Sequence, residues 1–364
     1  MAERYHPDAD QVAFADSVGK SLSSMLPLSR LHESHEESSQ IWADLKNLGV
    51  FEISTSEQQG GSGLGAAEEA LIVVELGRRA VAPSVLATVG ATHLLCEAKG
   101  MPPPAERRVA AGYCFLARTS QGAPPQGNGK GARDGDARSS SLGRPRARFD
   151  GRAVFVEDSA ANMLLVRSDS GARLVAYPAA SREVDTQLWS SRLRQAEGLG
   201  PSFAEATPAQ ALRLRLIDAA ALAGLARAAL DMAVGYAGMR EQFGRAIGSF
   251  QAVKHHCANM ALAARLASDL VSFAAVAIDD GRDDAVLQVE NAFFVAGSAA
   301  VDNCGKNIQV HGGIGFSQEA DPHLLLKRAR VLVEIAGGLE SALARIGGCP
   351  PSAELTKHER TGSQ

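Results

Sequence analysis

Over the first hundred positions, apolar residues recur at three- to four-residue spacing. Val12, Phe14, Val18, Leu22 and Met25 form one such series, and Ile41, Leu45 and Leu48 a second. Leu71, Val74, Leu76 and Ala80 form a third, after the glycine-rich turn at 60–65. This is the period of an α-helix with one face turned inward. Aromatic and β-branched residues are sparse here, which favours helices packed on helices from about 8 to 105.

From about 112 the texture changes to short apolar runs bounded by turn residues. Tyr113-Cys-Phe-Leu-Ala117, Ala147-Arg-Phe149, Ala153-Val-Phe-Val156, Met163-Leu-Leu-Val-Arg167 and Arg173-Leu-Val-Ala-Tyr177 predict strands. Phe149-Asp150-Gly151-Arg152 predicts a hairpin turn. Between these runs, Thr119–Arg146 is rich in Gly, Pro, Ser, Gln and Arg. It has too little apolar surface to offset the entropy of ordering it, and a mobile loop is expected.

Helical periodicity returns after Thr207-Pro208, where a capping hydroxyl precedes a proline suited to the first helical position. One helix is predicted from there to about Arg240, and others at Gln251–Asp279 and Asp284–Asn303. A fourth, Asp321–Ile346, is broken at Gly337-Gly338. Ala219, Ala220, Ala223, Gly224 and Ala228 keep one flank of the first helix small enough for a neighbour to approach closely. Four long helices suit a bundle. The expected organisation is therefore α+β: an N-terminal helical domain (1–111), a middle β domain (112–205), a C-terminal helical bundle (206–349) and a disordered tail (350–364).

Composition narrows the function. A net charge of −4 leaves no basic excess to neutralise phosphates, which argues against a nucleic-acid binder. Five cysteines, odd in number and without a C-x-x-C pair, fit a reducing compartment with neither a disulfide frame nor a zinc site. The N-terminus has no apolar core of an export signal, and no run approaches about 18 uninterrupted apolar residues. A cytoplasmic protein with no membrane span is expected. His255 and His256 project about 100° apart on a helix, a poor arrangement for sharing an ion with Cys257, and serve better as surface or packing residues. Trp42 and Trp189 are expected in the core, and Arg78-Arg79 at a helix end complements the macrodipole.

Two segments carry candidate chemistry. The first runs Tyr236-Ala-Gly-Met-Arg-Glu-Gln-Phe-Gly-Arg-Ala-Ile-Gly-Ser-Phe-Gln251, and the second is Gln309-Val-His-Gly-Gly-Ile-Gly-Phe316. Arg240, Gln242 and Gln251 set a fixed cation and two amides at a helix end. Gly312 and Gly313 make a bend where backbone N–H groups can approach a ligand with no Cβ in the way. A guanidinium fork beside amides suits a pyrophosphate. Each half alone is equally an ordinary helix end or an ordinary turn, and His311 in the second is open to contact with a ligand.

Together, in this order and about 60 residues apart, the two segments resemble the C-terminal domain of the flavin-dependent acyl-CoA dehydrogenases. The resemblance extends to Trp42-Ala-Asp-Leu-Lys-Asn-Leu-Gly49, Gly60–Leu64, Val74-Glu-Leu-Gly-Arg78 and Asp321–Ala329. It implies that fold, FAD as cofactor, and α,β-desaturation of an acyl-CoA thioester. It also implies that Arg240, Gln242, Phe243, Gln251, Gln309, Val310, Gly312 and Gly313 reach across a subunit boundary to a partner's FAD.

The same resemblance exposes what is missing. Family members abstract the α-proton with a glutamate at one of two places, and those positions here are Gly337 and Leu214, the latter followed by a retained Arg215. Asp218 lies one turn (about 5.4 Å) from Leu214, and Glu334 and Glu340 flank Gly337 by three residues. A shift on that scale spoils the alignment proton transfer needs. Asp218 and Glu340 are therefore expected in solvated or capping roles, with Glu334 a candidate to face the bundle. The family's flavin-ring segment is replaced by Thr119-Ser-Gln-Gly-Ala-Pro-Pro-Gln-Gly-Asn128.

Motifs serving a partner's flavin persist while the home site is gone, as in the non-catalytic subunit of the heterotetrameric dehydrogenases of steroid side-chain thioesters. That implies a catalytic dehydrogenase subunit as partner, which binds most of the acyl-CoA, and an electron-transfer flavoprotein as a possible acceptor. Three alternatives stay open: a self-sufficient homotetramer with an unusual base, a flavin-free scaffold, and a monooxygenase or nitroalkane-oxidising relative.

Overall fold

The computed structural model describes residues 6–95 apart from 35 and 60, 108–116, 151–184 apart from 169 and 170, and 191–349 apart from 201. The expected loop at 119–146, the run at 147–149, Trp189 and the tail lie outside the described residues. Helices α1 (Ala9–Met25), α2 (Ser39–Asn47), α3 (Ala66–Arg78) and α4 (Pro83–Leu95) come first. Strands β1 (Val109–Leu116) to β7 (Ser202–Glu205) follow, then α5 (Pro208–Met239), α6 (Gln251–Asp279), α7 (Ala285–His311), α8 (Pro322–Ile335) and α9 (Gly338–Gly348).

Helix α1 buries Ala15, Val18 and Leu22, one face at helical spacing. Val12 and Phe14, predicted in the same stripe, are exposed. They fall off the face that the later, better-spaced residues define. Trp42 stacks on Phe51 at 5.1 Å, and the Arg108 guanidinium covers it at 4.4 Å. Arg78 ends α3, but ion pairs to Glu75 and Asp231 hold it there.

The sheet has strand order β5-β6-β2-β1-β3-β4-β7, with β2 Gly151–Val156, β3 Met163–Ser168, β4 Gly171–Ala176, β5 Arg182–Val184 and β6 Leu193–Glu197. The pair β1–β3 is parallel and its neighbours are antiparallel. Both faces of β3 are buried: Met163 and Leu165 join the large helical core, while Leu164 and Val166 join a small cluster with Phe155 and Val175. A continuous apolar run is what a strand covered on both faces requires. Gly151 and Arg152 pair with Leu116 and Phe115 inside the sheet, and Phe149 and Asp150 of the expected hairpin turn lie outside the described residues.

Helix α5 starts as expected. Thr207 Oγ1 accepts from the Gln210 amide while Gln210 Oε1 accepts from the Thr207 amide, a reciprocal cap. Its small flank lets α3 approach, because a Cβ on Gly224 would strike the Val74 carbonyl and one on Gly77 the Ala221 carbonyl. Asp279, at the end of α6, accepts from the first amides of α3, Ala66 (2.6 Å) and Ala67 (2.9 Å), which ties the bundle to the N-terminal helices. Helix α7 continues past the predicted Asn303 to His311, because Cys304 and Ile308 extend its buried stripe. The break between α8 and α9 lies at Gly337 (φ 100°) and Gly338 (φ 77°), backbone that glycine adopts without strain. Helix α6 is long and apolar enough to cross a bilayer by length and composition. Here one of its faces packs in the bundle, and Leu262 and Leu266 are exposed on another.

Candidate functional site

The two motif segments meet at one end of the bundle. Tyr236, in the last turn of α5, stacks on His311, the last residue of α7, with ring centroids 4.0 Å apart and planes 22° apart. The His311 Nδ1 lies 2.8 Å from the Asn307 carbonyl, which fixes the ring against its own helix. This contact brings together residues 75 positions apart in sequence.

The chain leaves α5 at Arg240 and forms a two-residue hairpin, β8 (Glu241–Gln242) paired with β9 (Arg245–Ala246). Its tip is Phe243 (φ 53°) and Gly244 (φ 74°), both left-handed, the geometry of a tight mirror-image turn that ordinarily takes Asn-Gly. Phe243 there is 93% exposed, a strained non-glycine backbone holding an aromatic ring in solvent. Arg240, Gln242, Gln251 and Gln309 are likewise exposed. Gly312 (φ 63°) and Gly313 are exposed, and a Cβ on either would meet nothing within 4 Å. Val310 differs: it is buried in the hydrophobic core, on the inward face of α7, so its side chain serves packing rather than a ligand. Met239, Ile314 and Phe316 add exposed apolar area beside the motif residues. Outward cation, amides, bare glycine backbone and apolar rim can grip a dinucleotide held by another body. They enclose nothing by themselves.

A second feature lies inside the chain, where β1, the β3–β4 hairpin, α5, α7 and the α8–α9 break converge. A cavity of about 270 Å³ is lined there by residues including Tyr113, Arg167, Leu214, Asp218, Glu290 and Ala336. Leu214, one of the two family glutamate positions, borders it, and a Cβ on Gly90 would strike the Leu214 side chain. The other position, Gly337, sits so that a Cβ would stand 3.0 Å from the Tyr113 ring. Arg215 ties the two places together, its Nη1 donating to the Ala336 carbonyl at 2.6 Å.

The acids around this cavity correct the sequence expectation. Asp218 is 5% exposed and paired with Arg167 at 2.8 Å, so it is a buried cavity-wall residue rather than a solvated one. Burial pushes its carboxyl above the ordinary aspartate range, with Arg167 and Arg215 pulling against the rise. Glu290, also 5% exposed, sits between Arg215 (3.3 Å) and Arg345 (2.8 Å). Burial raises its carboxyl too, opposed by Arg215. Glu334 points to solvent, not into the bundle, and Glu340 is exposed in the first turn of α9, where the helix dipole favours it.

Sequence reasoning did not single out Arg167, Glu290 or Arg345. A signal for Glu290 existed, since it interrupts the stripe Val286, Phe293, Gly297 at helical spacing, a charge placed where the core should be. Among the described residues no group of three or more His, Cys, Asp or Glu is arranged to hold a metal. The replaced flavin-ring segment at 119–128 lies outside the described residues.

Comparison with known proteins agrees with the fold. The sequence matches the family models "Acyl-CoA dehydrogenase, N-terminal domain" over residues 8–99 and "Acyl-CoA dehydrogenase, C-terminal domain" over 209–348, together more than half of the chain. It is 33% identical over 316 residues to acyl-CoA dehydrogenase FadE34 of Mycobacterium tuberculosis, covering 84% of this chain and 41% of that protein. The chain thus spans less than half the length of that relative. Among solved structures, the ChsE4-ChsE5 complex of Mycobacterium tuberculosis superposes with a TM-score of 0.68 at 22% identity, covering 96% of this chain and 100% of the other. The Tcur3481-Tcur3483 steroid ACAD superposes at 0.67 and 20% identity, covering 93% and 96%. With helices, sheet and bundle in the family's order and both of its domain models matched, this chain belongs to the acyl-CoA dehydrogenase family.

Proposed function

We propose that this chain is the non-catalytic subunit of an FAD-dependent, heterotetrameric acyl-CoA dehydrogenase that desaturates a CoA thioester between its α and β carbons. The observation that carries the reading is the Tyr236–His311 stack. It sets Arg240, Gln242, Phe243, Gln251, Gln309, Gly312 and Gly313 outward at one end of the bundle, while both family glutamate positions hold residues unable to accept a proton.

These residues would hold the partner's FAD, whose chemistry would supply the acceptor for the β-hydride. Arg240 would neutralise part of the pyrophosphate charge, and the Gly312 and Gly313 amides with Gln242, Gln251 and Gln309 would donate to its oxygens or to the adenosine side. The partner subunit contributes the glutamate and most of the thioester site. Resemblance to heteromeric relatives, one of them a steroid ACAD, supports a steroid side chain as the acyl group. Exposed Met239, Phe243, Ile314 and Phe316 support a partner surface around the motif.

The test is co-expression with the catalytic partner. Arg240→Ala is expected to lower flavin per complex severalfold while the subunits still co-purify. Unchanged flavin content would favour a flavin-free scaffold instead.

One observation favours a second reading. Asp218 lines the same cavity as Leu214, and burial holds its carboxyl above the ordinary aspartate range, so it is the acid nearest the family position that could serve as a base in a self-sufficient enzyme. In that case the chain alone reduces an electron acceptor on addition of an acyl-CoA, and Asp218→Asn abolishes the turnover.

A further inference from the structure

Helix α6 has two faces of different character. Met260, Ala264, Ala267 and Val271 turn inward to the bundle. About half a turn round the helix, at about 100° per residue, lie His255, Ala258, Leu262 and Asp269, with Arg265 on one flank and Leu266 on the other. Leu262 is 71% exposed and Leu266 53%. Positions 255, 258, 262, 265 and 269 recur at three- and four-residue intervals, the spacing by which one helix packs along another.

The order of residues along this stripe indicates what covers it. A two-fold contact sets the same patch against itself, so it must be self-complementary. An antiparallel copy whose axis passes beside Leu262 sets each residue opposite the one equally far beyond Leu262. Leu262 then meets its own copy, and Ala258 meets Leu266, small against large. Asn259 meets Arg265, and His255 meets Asp269. Charge selects the same direction. Lys254, His255 and His256 make the start of α6 basic, and no acid precedes Asp269 in the helix. An antiparallel copy brings these opposite ends together and opposes the helix dipoles, whereas a parallel copy sets like against like. Asp269 already pairs with Arg265 of its own helix at 2.8 Å, and both side chains stay exposed enough for a second cation to join them.

We propose that α6 is a homotypic docking surface: two copies of this chain associate by antiparallel packing of their α6 helices, with Leu262 at the two-fold axis. From His255 to Asp269 the stripe runs about 21 Å at 1.5 Å per residue. A contact this short falls below the roughly 1,200 Å² of standard interfaces, so the dimer is reversible, with dissociation in the micromolar range. The surface uses none of the residues that reach the flavin, so the two readings stand or fall separately.

Sedimentation equilibrium of the full chain, with no other subunit present, tests this. A monomer–dimer equilibrium is expected. Leu262→Glu sets two like charges at the axis and should weaken the dimer at least tenfold, with the circular dichroism spectrum unchanged because the side chain is exposed. The register has its own test. With oxidised glutathione, Leu262→Cys should form a disulfide-linked dimer beyond anything the unsubstituted chain gives. Ala252→Cys should not, because the antiparallel register sets it about 30 Å from its counterpart. A chain that stays monomeric at submillimolar concentration overturns the proposal, as does one whose Leu262 is covered only when the catalytic subunit is added. So does a dimer that Leu262→Glu leaves intact, or Ala252→Cys cross-linking as readily as Leu262→Cys.

Discussion

Replacing Phe243 by asparagine separates what the isolated chain needs from what assembly needs. Phe243 holds φ at 53° at a hairpin tip, and 93% of it is exposed. The left-handed backbone costs an ordinary L-residue roughly 1–2 kcal/mol, and asparagine tolerates it better. Its visible packing is one edge-on contact with Phe250, centroids 6.1 Å apart, and the Arg245 guanidinium keeps its own place over Phe250 at 4.2 Å without it. Losing that contact forfeits about 0.5 kcal/mol, since such pairs lie at the low end when exposed. Phe243→Asn should therefore leave the chain alone unchanged or more stable by up to about 1 kcal/mol. In the complex the same ring would be covered, and burying a phenylalanine contributes about 1.5–3 kcal/mol. Partner affinity should fall roughly tenfold to a hundredfold. Urea unfolding of the single subunit and titration of one labelled subunit with the other give the two numbers. A destabilised chain with undiminished affinity for the partner would refute the reasoning, because the ring would then be serving the fold.

Other outcomes follow from single residues. Gly337→Glu, which restores a family acid, should destabilise the chain without conferring activity. Its backbone is left-handed at φ 100° and a Cβ would stand 3.0 Å from Tyr113; thermal melting and an acceptor-reduction assay check both halves. Gly224→Ala should lower stability by about 1–3 kcal/mol or more, as overpacking does, since its Cβ would meet the Val74 carbonyl of α3; urea unfolding reads the loss. Glu69 supplies a pH dependence. Burial resists its ionisation, but His93 and Arg213 more than offset this and hold its carboxyl below the ordinary value of 4.5. A depressed carboxyl stabilises the fold fully above about 4.5 and loses that contribution as pH falls through its folded value. Glu69→Gln should thus flatten the acid limb of stability measured from pH 6 to 3.

The fold was largely legible because it rests on periodicity and punctuation. Thr207-Pro208, Gly337-Gly338 and the Ala-rich flank around Gly224 each state a local rule that the packed structure obeys. Val12 and Phe14 misled because spacing alone does not say which of two overlapping stripes finds a partner. Of the candidate site, the outward residues could be read from residue type and order. Val310 could not, since a contiguous motif does not reveal which of its members turns inward. The cavity was hidden for a different reason: Arg167, Asp218, Glu290 and Arg345 come from four separate elements, β3, α5, α7 and α9, and only tertiary packing makes them neighbours.

Purifying this subunit without its partner and assaying it with an acyl-CoA and an artificial electron acceptor tests the central claim most directly. The account predicts a colourless, folded protein with no turnover, and flavin with activity appearing only when the catalytic subunit is added. A yellow, flavin-replete chain that oxidises the thioester alone would contradict it.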